Sequence, residues 1–462
     1  MYDAMKKLFL LAGLSLSFSS FAQNISNRLE EAYQKFENDS QLSSAISSLY
    51  VINASTGEVV FDKNSTVGLA TASTLKIVTA ATAYELLGKD FRYETKFGYF
   101  GKIKGKSLQG DFHLKPSGDP TLGSWRYKST ADTFVINEIL PVVKKLGITG
   151  FNGIVIDNKS WNAETIPGGW IWQDIGNYYG AGATGFNWRE NQFDITMKSG
   201  NKIGDPVAIV NTNPKCPVPL ASMVKSAAKG SGDNSYVYYP LLEPRGIIRG
   251  TIPVNENAFT ISASNPLAGN TFTSSLMQNL VSKLKMAQIH YEAHSPDTTI
   301  LFSHYSPSLD SIVYWFLKKS INLYGEALVK TFAFQKAGLG ETDKGVEIVQ
   351  NFWKDKGIAP TELNIVDGSG LSPQNRVTTH AQVTVLKYAK SQPWFNGYYY
   401  AFPEYNGMKM KSGTISDVKG FCGYQKSKDG NEYIFSFLVN NYNGSSSSVV
   451  QKMYKVLDEL KN

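Results

Sequence analysis

A serine and a lysine three residues apart are the side chains best suited to a reaction centre. They are Ser73 and Lys76, in the run Thr71-Ala72-Ser73-Thr74-Leu75-Lys76. Three residues is close to one helical turn, so in a helix the two share a face. A serine hydroxyl is a poor nucleophile at neutral pH and needs a base beside it. A lysine whose pKa is lowered by burial and by neighbouring cations can be that base. The positive end of a helix and the backbone N–H of Ser73 would then favour an oxyanion. This is the chemistry of covalent acyl transfer.

The spacing by itself says little. It recurs at Ser199 and Lys202, Ser222 and Lys225, Ser226 and Lys229, Ser282 and Lys285, and Ser416 and Lys419. Order and context separate the candidates. Ser73 alone opens an Ala/Thr-rich helix that follows a hairpin. Ser320-Ile321-Asn322 alone, among three Ser-x-Asn runs, opens a strong helix, with Ser320 suited to the N-cap. Lys411-Ser412-Gly413-Thr414 lies on a strand that leads into a closing hairpin and helix.

The elements that must position these residues follow from periodicity. Residues 46–52 and 59–61 flank a Gly-containing turn and read as a hairpin. Residues 70–87 read as a helix ending at Gly88. Residues 28–36 place Leu29, Tyr33 and Phe36 on one helical face. From about 91 to 293 short strand-like runs alternate with Gly, Asn and Pro turns, so this block is expected to be β-rich and separately folded. Helical patterns return at 308–316, 320–335, 344–354 and 379–390. Strands are expected at 409–411, 419–425 and 433–440, and a last amphipathic helix at 449–460.

The chain has 462 residues, 42% hydrophobic and 18% charged, so it can bury large cores and is expected to hold more than one domain. Its net charge of +7 is spread out, without the basic stripe of a nucleic-acid binder. Residues 1–22 read as a secretory signal peptide: Lys6 and Lys7, an apolar stretch of about 11 residues, then Ser20-Phe21-Ala22 before Gln23. A soluble protein exported to the periplasm or cell envelope is expected. Cys216 and Cys422 form no CxxC pair, and two free thiols are expected over a disulfide. His290 and His294 lack the glutamate of a zinc helix, so no metal and no cofactor are expected.

A Ser-x-x-Lys, a Ser-x-Asn and a Lys-[Ser/Thr]-Gly in this order resemble the machinery of serine β-lactamases and penicillin-binding proteins. Further runs sharpen the likeness: Gly118-Asp119-Pro120-Thr121-Leu122, Ile154 to Asp157, Pro167 to Trp172, Tyr178-Tyr179-Gly180-Ala181, and Asp367-Gly368-Ser369-Gly370-Leu371-Ser372 followed by Asn375 and Val377-Thr378. Together they resemble the D-alanyl-D-alanine carboxypeptidase/endopeptidase family, the DacB-type low-molecular-mass penicillin-binding proteins, over nearly the whole mature chain. The resemblance implies an α/β (α+β) fold of the serine β-lactamase/penicillin-binding-protein type. It also implies a large β-rich insertion between the first and second catalytic motifs. The expected division is a catalytic domain from 23–92 and 297–462, an insertion at 93–296, and a nested subdomain at about 166–257.

The resemblance also implies roles. Ser73 would form the acyl-enzyme on a D-Ala-D-Ala carbonyl, with Lys76 taking its proton. Ser320 would pass a proton to the leaving amine, tuned by Lys411, and Asn322 would orient Lys76. Ser412 and Thr414 would bind the terminal carboxylate, and the backbone N–H groups of Ser73 and Thr414 would form the oxyanion hole. Asp157 would face the site and meet a substrate amine. Peptidoglycan stem peptides are the implied substrate and β-lactams the implied covalent inhibitors. Two departures stand out: Ser412 replaces a usual threonine, and Pro373 stands where many members carry arginine. A serine β-lactamase and a catalytically silent wall-binding protein are the alternatives; the insertion and the Asp367–Ser372 run argue against the first, the intact motifs against the second.

Overall fold

The computed structural model of the chain describes residues 25–462 except 163, 217, 241–244 and 289–297. The signal-peptide reading and the pair His290 and His294 fall outside the described residues.

The two ends of the chain build one sheet. Its six strands run in the order Glu404–Tyr405, Met408–Ile415, Val418–Lys426, Glu432–Asn440, Ile46–Asn53, Val59–Lys63, all antiparallel neighbours. Ile46–Asn53 is apolar on both faces, and alternation sorts its side chains. Leu49 and Val51 join the terminal helices, through Leu29, Tyr33, Phe36, Val449 and Met453. Tyr50 and Ile52 pack instead on a helical layer that includes Val78, Ile312, Leu328 and Val385. Sealing both faces fixes the register, because a one-residue slip would exchange the two sets.

The helix Lys76–Leu87 runs through that layer, and every residue from Lys76 to Tyr84 is buried. It is preceded by a single 3-10 turn, Ala72–Leu75. The helix Asn322–Ala337 is equally enclosed, buried from Asn322 to Ala333. A helix apolar all round belongs in a core, so Lys76, Glu326 and Lys330 are polar groups that the core must accommodate.

Between these ends the chain forms other sheets. Glu94–Lys104, Ser107–Lys115 and Gly150–Phe151 combine with Thr298–Tyr305 and Ala287–Gln288, and Ile154–Ile156 pairs alongside. Two helices cover this sheet, Asp132–Lys145 and Ala268–Leu284. Beyond it, a three-stranded and a four-stranded sheet from residues 192–264 share a small core around Ile195, Val224 and Ile248.

The middle block is β-rich as expected and also carries both helices above; two other expectations are corrected. Val135, Ile136, Ile139, Leu140 and Val143 have helical spacing, but Pro141 inside the helix masks the pattern. The boundary at 297 moves, because Thr298–Tyr305 pairs antiparallel with Glu94–Lys104 and so belongs to the middle sheet. Ser320 is not the N-cap of its helix. Ile321 is, and Ser320 itself takes a left-handed φ of 58°, turning the chain between two helices in a conformation uncommon for a non-glycine residue.

Candidate active site

The 3-10 turn and the helix behind it bring Ser73 and Lys76 together. Lys76 Nζ lies 2.9 Å from Ser73 Oγ, 2.6 Å from Asn322 Oδ1 and 2.6 Å from the carbonyl of Ser369. A neutral amine has two N–H donors and one lone pair. Asn322 Oδ1 and the Ser369 carbonyl can only accept, so they take both donors. The lone pair is then left for the Ser73 hydroxyl. Burial holds the Lys76 amine well below its ordinary pKa, and the nearby Lys411 ammonium adds to the effect against the opposing Asp367 and Glu326.

Asn322 is itself fixed. Its Nδ2 donates to the carbonyl of Tyr179 at 2.7 Å, which aims Oδ1 at the lysine. The sequence marks Tyr179 within a family-like run, yet the working atom is a backbone carbonyl that residue types do not reveal.

Lys411 sits on the strand Met408–Ile415. Its Nζ lies 2.9 Å from Ser320 Oγ and donates to the Ser412 carbonyl at 2.7 Å. Burial lowers its pKa to about 7. Two residues on, Gly413 meets the Ser73 turn: a methyl group there would stand 2.5 Å from the Thr71 carbonyl and 2.9 Å from the backbone N of Ser73 and of Thr74. Only a glycine lets the strand approach so closely. Thr414 Oγ1 accepts from Lys419 Nζ at 2.7 Å, and burial brings Lys419 down to about 8. Lys419 is a cation of the site that the sequence reading passed over.

The Asp367 loop forms the other support. A short antiparallel pair, Leu363–Asn364 with Arg376–Val377, closes its base. Inside, Asp367 Oδ1 accepts from the Gly370 N–H at 2.8 Å and from Asn375 Nδ2 at 2.9 Å. Its Oδ2 accepts from the Ser372 N–H at 2.7 Å and from Trp170 Nε1 at 3.0 Å. Four hydrogen bonds to one buried carboxylate fix the loop, and with it the Ser369 carbonyl on Lys76. Gly370, at φ 81°, lies so close to the turn that a methyl group would meet the Ala72 carbonyl at 1.9 Å. Glu326, one helical turn past Asn322, accepts from the Gly368 N–H at 3.1 Å. Burial and the Asp367 charge push its carboxyl up to about 8.

A pocket of about 600 Å³ opens over these groups, with Ser73, Ser320, Asn322 and Thr414 on its wall. Lys76 and Lys411 stand behind the hydroxyls they touch. Ser412 contributes its carbonyl to Lys411, but its side chain is not on that wall. Asp157 is not there either: it ends the strand Ile154–Ile156, 3.6 Å from His113 Nε2, and its Oδ1 accepts from the Lys159 N–H. The pocket wall includes charged residues that the sequence reading missed, Arg126, Asp174 and Glu190. Trp170, within the run Pro167 to Trp172, has a polar role toward Asp367. Cys216 and Cys422 are free thiols. Among the described residues no cluster of His, Cys, Asp and Glu could hold a metal, and no helix is long and apolar enough to cross a membrane.

The model of the D-Ala-D-Ala carboxypeptidase 3 (S13) family matches residues 29–461. A D-alanyl-D-alanine carboxypeptidase of Actinomadura sp. (strain R39) is 25% identical over 92% of this chain and 83% of that protein. The D-alanyl-D-alanine carboxypeptidase DacB of Haemophilus influenzae is 23% identical over 84% of both. The crystal structure of penicillin binding protein 4 (dacB) from Haemophilus influenzae superposes with a TM-score of 0.78 at 20% identity, covering 94% of this chain and 99% of that one. The same protein complexed with a β-lactam superposes with a TM-score of 0.72.

Proposed function

The chain belongs to the D-Ala-D-Ala carboxypeptidase 3 (S13) family and is a serine D-Ala-D-Ala carboxypeptidase, and from that premise we propose how its residues perform the reaction. Neutral Lys76 accepts the Ser73 proton as Ser73 Oγ attacks the carbonyl between the two D-alanines of a peptidoglycan stem peptide. The oxyanion is held by the backbone N–H groups of Ser73 and Thr414. The C–N bond breaks, and the departing D-alanine amine takes its proton through Ser320, whose hydroxyl is charged by Lys411. The terminal carboxylate rests on Thr414 and the cation behind it, Lys419. Lys76 then releases the proton it took from Ser73 and Lys411 regains one, which restores both groups, and water hydrolyses the Ser73 ester with neutral Lys76 as base.

The observation that carries this reading is the three-way contact of Lys76 Nζ. Two fixed acceptors consume both donors of a neutral amine and leave its lone pair toward the serine. The same chemistry acts on a D-alanyl cross-link, so endopeptidase action follows wherever the pocket admits the second strand. β-Lactams acylate Ser73 and block it, in keeping with the β-lactam complex of the Haemophilus influenzae relative. The protein works outside the cytoplasm after removal of residues 1–22. Residues 93–305 form one insertion within the catalytic domain.

Incubation with a fluorescent penicillin, followed by denaturing electrophoresis, tests the assignment. A stable adduct on the native chain, absent from Ser73→Ala, is expected, together with D-alanine release from a stem pentapeptide. Rapid turnover of the drug without a lasting adduct would identify a β-lactamase, and no adduct at all would overturn both enzyme readings. Mass spectrometry of digested muropeptides separates tail trimming from cross-link cleavage.

A further inference from the structure

The helix Leu309–Lys318 ends at the mouth of the pocket, and the proposed chemistry makes no use of its outer face. Lys319 and Ser320, just past its end, lie on the pocket wall. Trp315 stands one helical turn before Lys319, so the two share a face. Beside it is Tyr314; both rings are half-buried, and they meet edge to face at 5.2 Å. On one flank Arg126, itself on the pocket wall, lies between two indoles, 5.3 Å from the Trp315 ring centre and 5.6 Å from that of Trp125. On the other flank Tyr400, from the helix Phe395–Ala401, stacks on Tyr314 at 5.4 Å.

These contacts make one ridge that runs outward from the pocket. Its two flanks open to solvent, with Trp125 54% and Tyr400 69% exposed. Single exposed aromatics need no explanation, but a contiguous set marks a contact surface. The rings are Trp and Tyr, each a flat apolar face with a polar tip. Among the described residues, the hydroxyls of Tyr314 and Tyr400 and the indole N–H groups of Trp125 and Trp315 have no hydrogen-bond partner. A flat face with a free donor at its edge suits a pyranose ring, which packs its C–H face on the aromatic and offers hydroxyls at the rim.

We infer that the ridge of Trp125, Trp315, Tyr314 and Tyr400 is a docking surface for the glycan strand of peptidoglycan, holding the amino sugars while the attached stem peptide enters the pocket. The reach agrees with this. Tyr314 precedes Ser320 by roughly 9 Å along a helix that rises about 1.5 Å per residue, and Tyr400 is a further 5.4 Å away. About four residues of a stem pentapeptide separate the cleaved bond from the sugar, and an extended chain covers about 3.3–3.6 Å for each, roughly 14 Å in all. The inference rests on the stem-peptide reading and extends it to the strand that carries the stem.

A free stem pentapeptide and the same pentapeptide carried on a short amino-sugar glycan test it. The native enzyme is expected to favour the glycan-borne peptide in kcat/KM by about tenfold, the return of one or two aromatic contacts. Trp125→Ala and Tyr400→Ala, on opposite flanks, should each reduce that ratio to about threefold, and the double variant should bring it to about one. The ratio is read within one protein, so a loss of folded enzyme cancels from it. A second readout needs no turnover: insoluble glycan stripped of its peptides should sediment the native chain and leave the double variant in solution. Equal kcat/KM of the native enzyme on the two peptides, or a ratio that the double variant keeps, overturns the inference; anionic lipid vesicles and sedimentation analysis then show whether the ridge meets a membrane or a second copy instead. If neither peptide is cleaved, the stem-peptide reading is at fault, and co-sedimentation with the stripped glycan alone decides for or against the ridge.

Discussion

Replacing Gly413 by alanine tests whether the approach of strand to turn sets the reaction geometry. The added methyl group would lie 2.5 Å from the Thr71 carbonyl oxygen and 2.9 Å from the N of Ser73 and of Thr74. Ordinary contact begins near 3.4 Å, so strand and turn must part by about 0.9 Å along the Thr71 direction, the gap between those distances. All three obstructing atoms are backbone, so no rotamer change relieves them. Such overpacking costs about 1–3 kcal/mol of stability, a fall of several degrees in thermal midpoint. The catalytic cost is larger, because a displacement near 1 Å at reacting groups is worth about a hundredfold. The rate of Ser73 acylation by a fluorescent penicillin should therefore fall about a hundredfold in Gly413→Ala, with a cooperative thermal transition retained. Gly420, directly across from Gly413 in register, is the internal control. A methyl group there meets first the end of Leu438, at 2.6 Å, and a side chain can move. Gly420→Ala should keep acylation within about threefold, the effect of a cost below 1 kcal/mol. Acylation of Gly413→Ala at the native rate would refute the reasoning.

Three further outcomes follow from the geometry. Acylation requires neutral Lys76 and protonated Lys411, so its rate should fall in acid as Lys76 takes a proton and fall again above about pH 7 as Lys411 loses one; Lys411→Ala, by removing a repelling cation, should move the acid limb upward, and a pH-independent rate would contradict this. Glu326 has its carboxyl raised from 4.5 to about 8, so the unfolded chain ionises first and native stability drains away as pH climbs through that interval; the thermal midpoint of Glu326→Gln should therefore gain on the native chain between pH 5 and pH 8, whereas a constant difference would argue against a buried neutral acid. Asp157→Ala should leave kcat/KM within about twofold, because its carboxylate is engaged by His113 and by the Lys159 N–H, and a loss beyond tenfold would place Asp157 in the site.

The sheet that joins the chain's two ends was legible because its strands carry uninterrupted or alternating apolar runs, and apolar surface has few places to go. Residues 379–390 and 433–440 were readable on the same ground, and the structure has Thr379–Lys390 as helix and Glu432–Asn440 as strand. Side chains that act through their own functional group, Ser73, Lys76, Ser320, Asn322 and Lys411, were readable as motifs, and the fold gathers them. What stayed hidden has a common physical character. The Tyr179 and Ser369 carbonyls act through the backbone, which is identical in every residue. Arg126 and Glu190 meet from positions 64 residues apart, a pairing set by tertiary structure alone. Ser320 and the run from Arg189 to Asn191 adopt left-handed backbone without glycine, against local preference.

The middle segment, which we propose is an insertion, touches the centre through several contacts. The Tyr179 carbonyl fixes the Asn322 amide, and so the acceptor on Lys76. The Trp170 indole donates to Asp367, the carboxylate that organises the loop carrying the Ser369 carbonyl. Glu190 accepts from Tyr324, two residues past Asn322, and holds Arg126 on the pocket wall. Each contact joins a residue between 170 and 190 to one of the elements that surround Ser73. Excising the insertion would leave an amide free to flip, a buried carboxylate short of a donor and a tyrosine hydroxyl unpaired, each costing about 1–3 kcal/mol. Those costs fall on the groups that set the direction and basicity of Lys76. The added length therefore does more than extend a surface for substrate: it supplies outer supports that a smaller Ser/Lys enzyme must find within its own two ends.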